Sequence, residues 1–254
     1  MAKEISVKTK IAIIGAGHMG TALYEGLIRS GVKKTHLMLS KRNKNKKAAR
    51  FADVIFLSVK PGVVDEVLKE IQMEVKNKAV VSVAAGISLS ALKKHASGAR
   101  VGRVMPNIAI ASGEGVVGLL YGSLSSKEKV ELKKLMSGLG LLVEAKNDAE
   151  LDVLTLISGC GPGIVAFFID ALAENARRLG IKGAGGEQVA FQVFKGTIAH
   201  MENNKISATN LAQSVATKGG VTEMILETLT KKGFKKNLSG ALAQGHKRIR
   251  KIAK

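Results

Sequence analysis

Short apolar runs separated by amphipathic stretches occupy the first half of the chain. Most of these runs are continuous rather than alternating, as expected for strands covered on both faces. They predict β-strands at Ile11–Ile14, His36–Ser40, Val54–Val59, Ala79–Val83, Arg100–Met105 and Leu141–Glu144, with Val116–Leu120 as a seventh candidate. Helical periodicity predicts helices at Thr21–Ile28, Val63–Glu74, Ser88–His95 and Ser126–Ser137, the last preceded by the capping-box pair Ser125 and Glu128. Strands that alternate with helices predict an α/β fold with a mostly parallel sheet.

From about Ala149 the pattern becomes helical throughout. It predicts helices at Leu151–Ile157, Ile164–Leu179, Glu187–Asn203, Ala208–Val215 and Thr222–Thr230. The segment Ile164–Ala173 is apolar nearly all round, which is typical of a helix buried in a core or a subunit interface. We therefore predict an α/β domain over residues 1–148 and an all-helical domain over residues 149–254.

The first predicted strand leads directly into a glycine-rich turn. The turn consists of Gly15, Ala16, Gly17, His18, Met19 and Gly20. In such a G-x-G-x-x-G pattern, Gly15 permits the turn, Gly17 lets N–H groups approach a pyrophosphate, and Gly20 lets helix and strand pack closely. Strand, turn and helix start in this order predict a Rossmann-type dinucleotide site. The alternative is a tight strand–helix turn without a ligand.

The end of the second strand indicates which dinucleotide is bound. An acidic residue there would hydrogen-bond a ribose 2′-hydroxyl and repel a 2′-phosphate. The strand ends instead in Ser40, Lys41 and Arg42, and a hydroxyl with two cations suits a phosphate. We therefore predict NADPH as the cofactor, with NADH as the second choice. The alternative is that these cations belong to a generally basic surface.

Composition indicates a soluble protein of a reducing compartment. The chain has 254 residues, 46% of them hydrophobic, and a single cysteine, Cys160. Its apolar runs are shorter than a bilayer span, and Met1–Glu4 lacks the apolar core of a signal peptide. We expect a cytoplasmic location, no membrane partner and no metal site, because the five histidines are scattered. Asp152 is expected to be an ordinary solvated helix acid.

The charge balance is strongly basic. Lys and Arg number 40 against 20 acids, giving a formal net charge of +20. The cations concentrate in Lys41–Arg50, Lys231–Lys236 and Lys247–Lys254, and such a surface attracts polyanions. The chain lacks Trp and has only 4% aromatic residues, and no nucleic-acid-binding motif is evident. We expect non-specific polyanion binding and no dedicated nucleic-acid partner.

Six motifs resemble, in order and approximate spacing, those of pyrroline-5-carboxylate reductases. They are Gly15–Gly20, Val59–Pro61, Ala84–Gly86, Val104–Asn107, Ser158–Pro162 and Thr217–Thr222. The resemblance implies reduction of 1-pyrroline-5-carboxylate to L-proline with NAD(P)H, the final step of proline biosynthesis. It also implies a Rossmann domain followed by a helical domain that intertwines with a second subunit. Such subunits form homodimers, which often assemble into decamers.

The resemblance also implies roles for particular residues. It places Val59, Lys60, Pro61, Ala84, Ala85, Gly86 and Asn107 against the ribose and nicotinamide of the cofactor. It places the substrate against Thr217, Gly219, Gly220, Val221 and Thr222. The glycine N–H groups would bind the substrate carboxylate, and Thr222, as the catalytic residue, would hydrogen-bond the imine nitrogen or relay a proton. Without the resemblance, both threonines also fit as helix caps.

The chain departs from the family most clearly between the second and third strands. The family usually has a helix, a further strand and a short helix there, whereas this chain has only Lys41–Arg50. A parallel crossover usually needs about a dozen residues, helix included, so no further strand fits. We expect the strand ending at Ser40 to form the sheet edge and the adenine side of the pocket to lose a wall. Lys218 and Cys160 also replace a typical proline and a typical small hydroxyl residue.

Two alternatives to the implied activity remain open. The first is reduction of a related cyclic imine, because one methylene in a pocket is worth only about 1–3 kcal/mol. The second is a catalytically weakened, reductase-like protein that binds nucleotide or polyanion, which the short Lys41–Arg50 link and the basic charge favour.

Overall fold

The computed structural model describes residues 9–41 and 43–252, whose strands form one mostly parallel sheet. The strand order is β2-β1-β3-β4-β5-β6-β7, and β5 with β6 is the antiparallel pair. The strands are β1 (Ile11–Ile14), β2 (Leu37–Ser40), β3 (Val54–Leu57), β4 (Ala79–Ser82), β5 (Arg100–Pro106), β6 (Gly115–Leu120) and β7 (Gly140–Glu144). The predicted α/β class and the seventh candidate strand are confirmed.

Helices connect the strands and then make up the rest of the described chain. Between the strands lie α1 (His18–Arg29), α2 (Asn45–Phe51), α3 (Val64–Glu70), α4 (Leu89–His95) and α5 (Ser126–Ser137). After β7 come α6 (Asp148–Leu154), α7 (Gly161–Arg178), α8 (Gly185–Asn204), α9 (Ala208–Val215), α10 (Val221–Lys231) and α11 (Phe234–Ile252). The predicted change from an α/β pattern to a helical one is confirmed.

The two faces of β1 belong to different hydrophobic clusters. Ile13 packs in one cluster with Leu23 of α1, whereas its neighbour Ile14 packs in the other with Leu68 of α3. Successive side chains of a strand point to opposite faces of the sheet. A strand covered by helices on both faces is therefore apolar at every position, which accounts for the uninterrupted run at the start of the chain.

The crossover from β2 to β3 is the seven-residue helix α2. At its start, Ser40 Oγ donates to Asn45 Oδ1 (3.0 Å), and Asn45 Nδ2 donates to Glu70 Oε2 (2.7 Å). At its end, Lys78 Nζ donates to the carbonyl oxygen of Ala49 (2.7 Å). These contacts hold a crossover of minimal length, and the expectation that β2 forms the sheet edge is confirmed.

Helices α6 and α7 are joined by a π-helical turn, Thr155–Gly159. The resulting helix, Asp148–Arg178, is long and apolar enough to cross a membrane by length and composition alone. The expectation that every apolar segment is too short is therefore wrong. The glycines and proline of Ser158–Pro162 interrupt the apolar sequence, but the helix continues through them. Buried core helices of soluble proteins meet the same criterion, and 17% of the most apolar part of this helix is buried within the single chain.

Helix α11 has no counterpart among the sequence predictions. Leu238, Leu242 and Ile249 are its less exposed apolar residues, and their spacing of four and seven residues forms one stripe. The cations Lys235 and Lys236 at its start, with those from Lys247 at its end, obscure this stripe in the sequence.

The described residues fall into two compact units. One comprises the residues up to Pro162 together with those from Gly245 onward, and the other is Gly163–Gln244. The predicted domains, a cofactor-binding domain over residues 1–148 and a helical dimerisation and substrate domain over residues 149–254, stay a prediction.

A buried ion pair joins β5 to α6 within the first unit. The side chain of Arg103 is 1% exposed; Nη1 donates to Asp148 Oδ1, and Nη2 lies 3.4 Å from Asp152 Oδ1. The side chain of Asp152 is 14% exposed. The expectation that Asp152 is an ordinary solvated acid is therefore wrong, because α6 turns it toward a buried guanidinium.

The capping box at the start of α5 is confirmed and extended by a cation. Ser125 Oγ accepts from Glu128 N, and Glu128 Oε2 accepts from Ser125 N (2.8 Å) and from Arg100 Nε (2.7 Å). Burial acts to raise the pKa of Glu128, but the hydrogen bonds from Arg100 and Ser125 outweigh burial and lower it below its ordinary value.

Substitution Glu128→Gln is expected to lower the free energy of unfolding at pH 7 by about 1 kcal/mol, the size of one helix cap. Because the pKa of Glu128 is lower in the folded chain, its stabilisation is complete above the unfolded-state pKa. It is lost as the pH falls through the folded-state pKa. Urea unfolding at pH 7 and at about pH 3 measures this difference. The difference should shrink in acid, a pH-independent difference would contradict the assignment, and the exposed Glu66→Gln is the control.

Candidate active site

The turn between β1 and α1 is so tight that two of its positions admit only glycine. Gly15 has φ +111°, and a Cβ there would overlap the Ser58 carbonyl oxygen. A Cβ on Gly20 would overlap the carbonyl oxygen of Gly15. These two glycines therefore bring the first turn of α1 directly against the carboxyl ends of β1 and β3.

Gly17 faces open space between these crowded positions. Among the described residues, no neighbouring group lies within 4 Å of a Cβ placed on Gly17. Gly17 is the N-cap of α1 without a side-chain cap hydrogen bond, and the first turn of α1 contains no acid. The first N–H groups of α1 are therefore available to an anion, which the helix dipole also favours.

Ser58 contributes an unsatisfied hydroxyl to the same turn. Its Oγ is buried without a hydrogen-bond partner in the described part of the chain, and it lies 3.2 Å from the Cβ position of Gly20. Leaving such a group unpaired costs about 1–3 kcal/mol, which a phosphate oxygen would relieve by accepting from it. The open Gly17 position, the α1 N–H groups and this hydroxyl fit the pyrophosphate of a dinucleotide.

A cavity of about 1100 Å³ opens beside this turn. Six predicted cofactor residues line it, namely Ala16, Gly17, His18, Met19, Val59 and Lys60. Seven further lining residues were not singled out in the sequence: Thr21, Ala22, Glu25, Ser58, Val83, Ile108 and Ala111. Those on α1 share a face with His18 at helical spacing, so periodicity offered a signal for them. Ile108 and Ala111 come from a 3₁₀ turn after β5, and no motif marks them.

Ser40 ends β2 beside the glycine turn. Parallel pairing aligns it with Ile14, and Gly15 N donates to its carbonyl oxygen (3.4 Å). Lys41 is exposed, and Arg42 lies outside the described residues. The structure therefore brings Ser40 next to the predicted pyrophosphate turn, while contacts with a 2′-phosphate stay a prediction.

The other predicted cofactor residues follow the carboxyl ends of β3, β4 and β5, outside the described lining of the cavity. They are Pro61, Ala84, Ala85, Gly86 and Asn107. Asn107 is 6% exposed; its Nδ2 donates to Ser158 O (3.1 Å), and its Oδ1 accepts from Val116 N (3.3 Å). The Asn107 amide therefore links the end of β5 to β6 and to the π-helical turn Thr155–Gly159. Its contact with the cofactor stays a prediction.

The predicted substrate loop leads into α10 in the second unit. Gly219 has φ +76°, and Gly220 is the N-cap of α10 without a side-chain cap. The alternative that Thr217 and Thr222 cap this helix is therefore wrong. Gly219 N donates to Glu223 Oε2 (2.6 Å), so a carboxylate already occupies one N–H group of the loop. No sequence motif marks Glu223 as a partner of this loop.

Thr222 lines a second cavity, of about 540 Å³, whose lining residues come from α8, α9 and α10. Its other polar lining residues are Thr197 and His200, and Met201, Leu211, Val215 and Leu226 give it an apolar wall. His200 counted among the scattered histidines of the sequence, because only the packing of α8 against α9 brings it here. Val221, the first residue of α10, is exposed and is not among the lining residues of this cavity.

Two family models match the chain. The model described as pyrroline-5-carboxylate reductase dimerisation matches residues 148–252. The model described as NADP oxidoreductase, coenzyme F420-dependent, matches residues 10–49 and 40–86. The first covers α6 to α11, and the second covers the glycine turn and the short crossover.

Known proteins are similar along nearly the whole chain. The pyrroline-5-carboxylate reductase of Corynebacterium melassecola is 32% identical over 89% of this chain and 92% of its own. Pyrroline-5-carboxylate reductase 3 of Danio rerio is 31% identical over 96% of this chain and 91% of its own. The crystal structure of Plasmodium falciparum pyrroline carboxylate reductase with NADP bound matches with a TM-score of 0.90 at 26% identity, covering 97% of this chain and 99% of that one.

Substitution Gly17→Ala is expected to raise the Kd for NADPH by at least about tenfold, equivalent to about 1.4 kcal/mol. The added methyl group would occupy the space through which a pyrophosphate approaches the N–H groups. Thermal stability should change little, because that space is open and the φ of Gly17 is −79°. Fluorescence titration with NADPH and a thermal melt measure the two quantities.

The matched control is Gly240→Ala, whose added Cβ also meets open space among the described residues. It should leave the Kd for NADPH unchanged. An unchanged Kd in Gly17→Ala would show that the pyrophosphate does not lie at this turn.

Proposed function

Because this chain belongs to the pyrroline-5-carboxylate reductase family, we propose that it reduces 1-pyrroline-5-carboxylate to L-proline with Thr222 at the reacting imine. The observation that carries the proposal is the start of α10, where Thr222 lines a cavity two residues after the N-cap Gly220. The Gly219 N–H group already binds a carboxylate, that of Glu223. The substrate carries a carboxylate that matches the glycine N–H groups and an imine nitrogen that matches the Thr222 hydroxyl. The carboxylate is on the ring carbon attached to that nitrogen.

The reaction adds a hydride to the imine carbon and a proton to the imine nitrogen. NADPH, when bound, supplies the hydride that forms the new C–H bond and leaves as NADP⁺. The balance is one imine, one NADPH and one proton giving one proline and one NADP⁺. Placement and electrostatics are the work that remains for the chain.

The first unit holds the cofactor through its backbone and a few polar side chains. The N–H groups at Gly17 and the first turn of α1 bind the pyrophosphate, and the Ser58 hydroxyl donates to a phosphate oxygen. Ser40 and Lys41 at the end of β2 face the 2′-phosphate, since no acid stands at that position to repel it. The chain is therefore an NADPH-dependent oxidoreductase acting on a cyclic imine.

The loop before α10 holds the substrate. The Gly219 and Gly220 N–H groups bind its carboxylate. Both exchange a partner as the substrate enters, since Gly219 N donates to Glu223 Oε2 (2.6 Å) and Gly220 N donates to the Thr217 carbonyl oxygen (2.8 Å). Thr217 and Val221 flank the bound carboxylate. The Thr222 hydroxyl donates to the imine nitrogen, which aligns the ring and supplies a path for the proton.

The enzyme is oligomeric, and the C-terminal helices form the proposed homodimer interface. Several large apolar side chains of this region are exposed in the single chain, among them Phe167 (68%), Phe191 (58%) and Met224 (62%). Exposed apolar surface of this extent is typical of a protein interface. Assembly of the dimers into decamers, a cytoplasmic location, and the absence of a membrane or dedicated nucleic-acid partner complete the proposal.

The two predicted domains have different roles in this reaction. Residues 1–148 bind the cofactor, and residues 149–254 bind the substrate and dimerise. The matched dimerisation model, which begins at residue 148, supports this division.

Substitution Thr222→Val is expected to lower kcat/KM for 1-pyrroline-5-carboxylate by about a hundredfold, in the range of general acid–base contributions. The change keeps the side-chain shape and removes the hydroxyl that serves the imine nitrogen. Thr222→Ser should retain activity within about tenfold, because it keeps the hydroxyl. Steady-state NADPH oxidation measures both effects, and NADPH titration shows that cofactor binding is unaffected.

Thr228→Val is the matched control, since Thr228 lies on the same helix and donates only to the Met224 carbonyl oxygen among the hydrogen bonds described. It should keep wild-type kinetics. Full activity in Thr222→Val would refute the role of the hydroxyl. If the wild type had a higher kcat/KM for the six-membered imine homologue, that imine would be the substrate, and the reaction class would be unchanged.

A further inference from the structure

The Arg103–Asp148 contact continues into the loop that precedes α4. Both carboxylate oxygens of Asp148 accept from Leu89 N at 3.2 Å. Leu89 is the first residue of α4, and the chain reaches it from β4 through Ala84–Gly86. One carboxylate therefore links the buried guanidinium of β5 to the loop that follows β4.

Asn107 ties the same region together from the other side. It follows β5, and its amide bonds both the Ser158 carbonyl oxygen and Val116 N. Ser158 lies in the π-helical turn Thr155–Gly159 that follows α6. In a π turn the hydrogen-bond ladder is displaced, and the Asn107 Nδ2 group supplies a partner to the Ser158 carbonyl. Two tethers thus lie close together in the chain, one from Arg103 of β5 to α6 and one from Asn107, just after β5, to the π turn.

Stability alone gives no reason for an ion pair at this place. Removing the Arg103 guanidinium and most of the Asp152 carboxylate from water costs about as much free energy as their attraction returns, while the Asp148 side chain stays 34% exposed. Well-packed apolar residues often stabilise such a place as well or better. The Nε atom of Arg103 is also buried without a partner among the described residues. What the fork of a guanidinium supplies, and apolar packing does not, is a fixed direction between β5 and α6.

We propose that Arg103 is a positioning residue for the reaction. Through Asp148 and Asp152 it fixes the loop Ala84–Leu89 and the π turn relative to β5, at the carboxyl edge of the sheet. This inference rests on the proposed function and on the family resemblance, which implies that Ala84–Gly86 and Asn107 lie against the ribose and nicotinamide. Arg103 touches neither cofactor nor substrate, and it acts by holding the groups that do.

The test is Arg103→Lys, which keeps the charge and loses the fork. We expect kcat for 1-pyrroline-5-carboxylate to fall about tenfold, since small misplacements at a reacting centre cost this much or more. The Kd for NADPH should stay within about twofold, because the pyrophosphate turn lies elsewhere on the sheet edge. Asp148→Asn, which keeps an acceptor for Leu89 N, should act in the same direction and serves if Arg103→Lys folds poorly.

Arg100→Lys is the matched control, because Arg100 lies on the same strand and pairs with Glu128 of α5, away from this edge. Its kcat should stay within about twofold of the wild type. Equal kcat in Arg103→Lys and Arg100→Lys would overturn the inference. So would a loss of kcat and NADPH binding together in proportion to unfolded protein, which is the signature of a merely structural role.

Amide hydrogen exchange keeps the inference separate from the proposed function. A wild type that binds NADPH without reducing the imine would refute the proposed reductase function. Amide hydrogen exchange in Arg103→Lys would still test whether Arg103 positions the two segments. Arg103→Lys should speed exchange in peptides covering residues 84–89 and 155–159 and leave residues 15–20 unchanged. Unchanged exchange in the first two segments, or equal acceleration in all three, would overturn the inference.

Discussion

The contact between Gly20 and the carbonyl oxygen of Gly15 is the constraint on which the nucleotide-binding half depends. Neither position has room for a Cβ, so α1 starts directly against the end of β1. That closeness places the N–H groups of the first helical turn around the open Gly17 position, where they favour an anion. It also places α1 over one face of β1 while α3 covers the other, which requires the uninterrupted apolar run of that strand.

The short crossover is the second physical condition, and it is satisfied by local anchoring. A seven-residue helix connects β2 to β3, and hydrogen bonds hold both of its ends. Asn45 bonds Ser40 and Glu70 at the start, and Lys78 bonds the Ala49 carbonyl oxygen near the end. With this short crossover, β2 is the last strand of the sheet, on the side where the adenine of the cofactor is predicted to lie. Exposed lysines, Lys41, Lys44, Lys46 and Lys47, lie in this same link. The predicted 2′-phosphate site at this edge therefore depends on charge.

Local signals in the sequence predicted most strands and helices, the glycine turn and the capping box at Ser125. Each depends on residues within a few positions, so composition and spacing were sufficient. The pairing of Arg103 with Asp148 and Asp152 joins positions 45 and 49 apart, and it follows from how α6 packs on β5. Helix α11 was missed because terminal cations outweigh its apolar stripe. The sequence did not mark Glu223 or His200. The Glu223 hydrogen bond to Gly219 N and the place of His200 in the cavity lined by Thr222 exist only in the folded chain.

Steady-state NADPH oxidation by this chain with 1-pyrroline-5-carboxylate is the decisive measurement of the reductase activity. We expect saturable turnover, with kcat in the ordinary enzyme range of about 1–10³ s⁻¹, and a higher kcat/KM with NADPH than with NADH. A folded protein that binds NADPH at saturation and yet leaves this imine unreduced would contradict it.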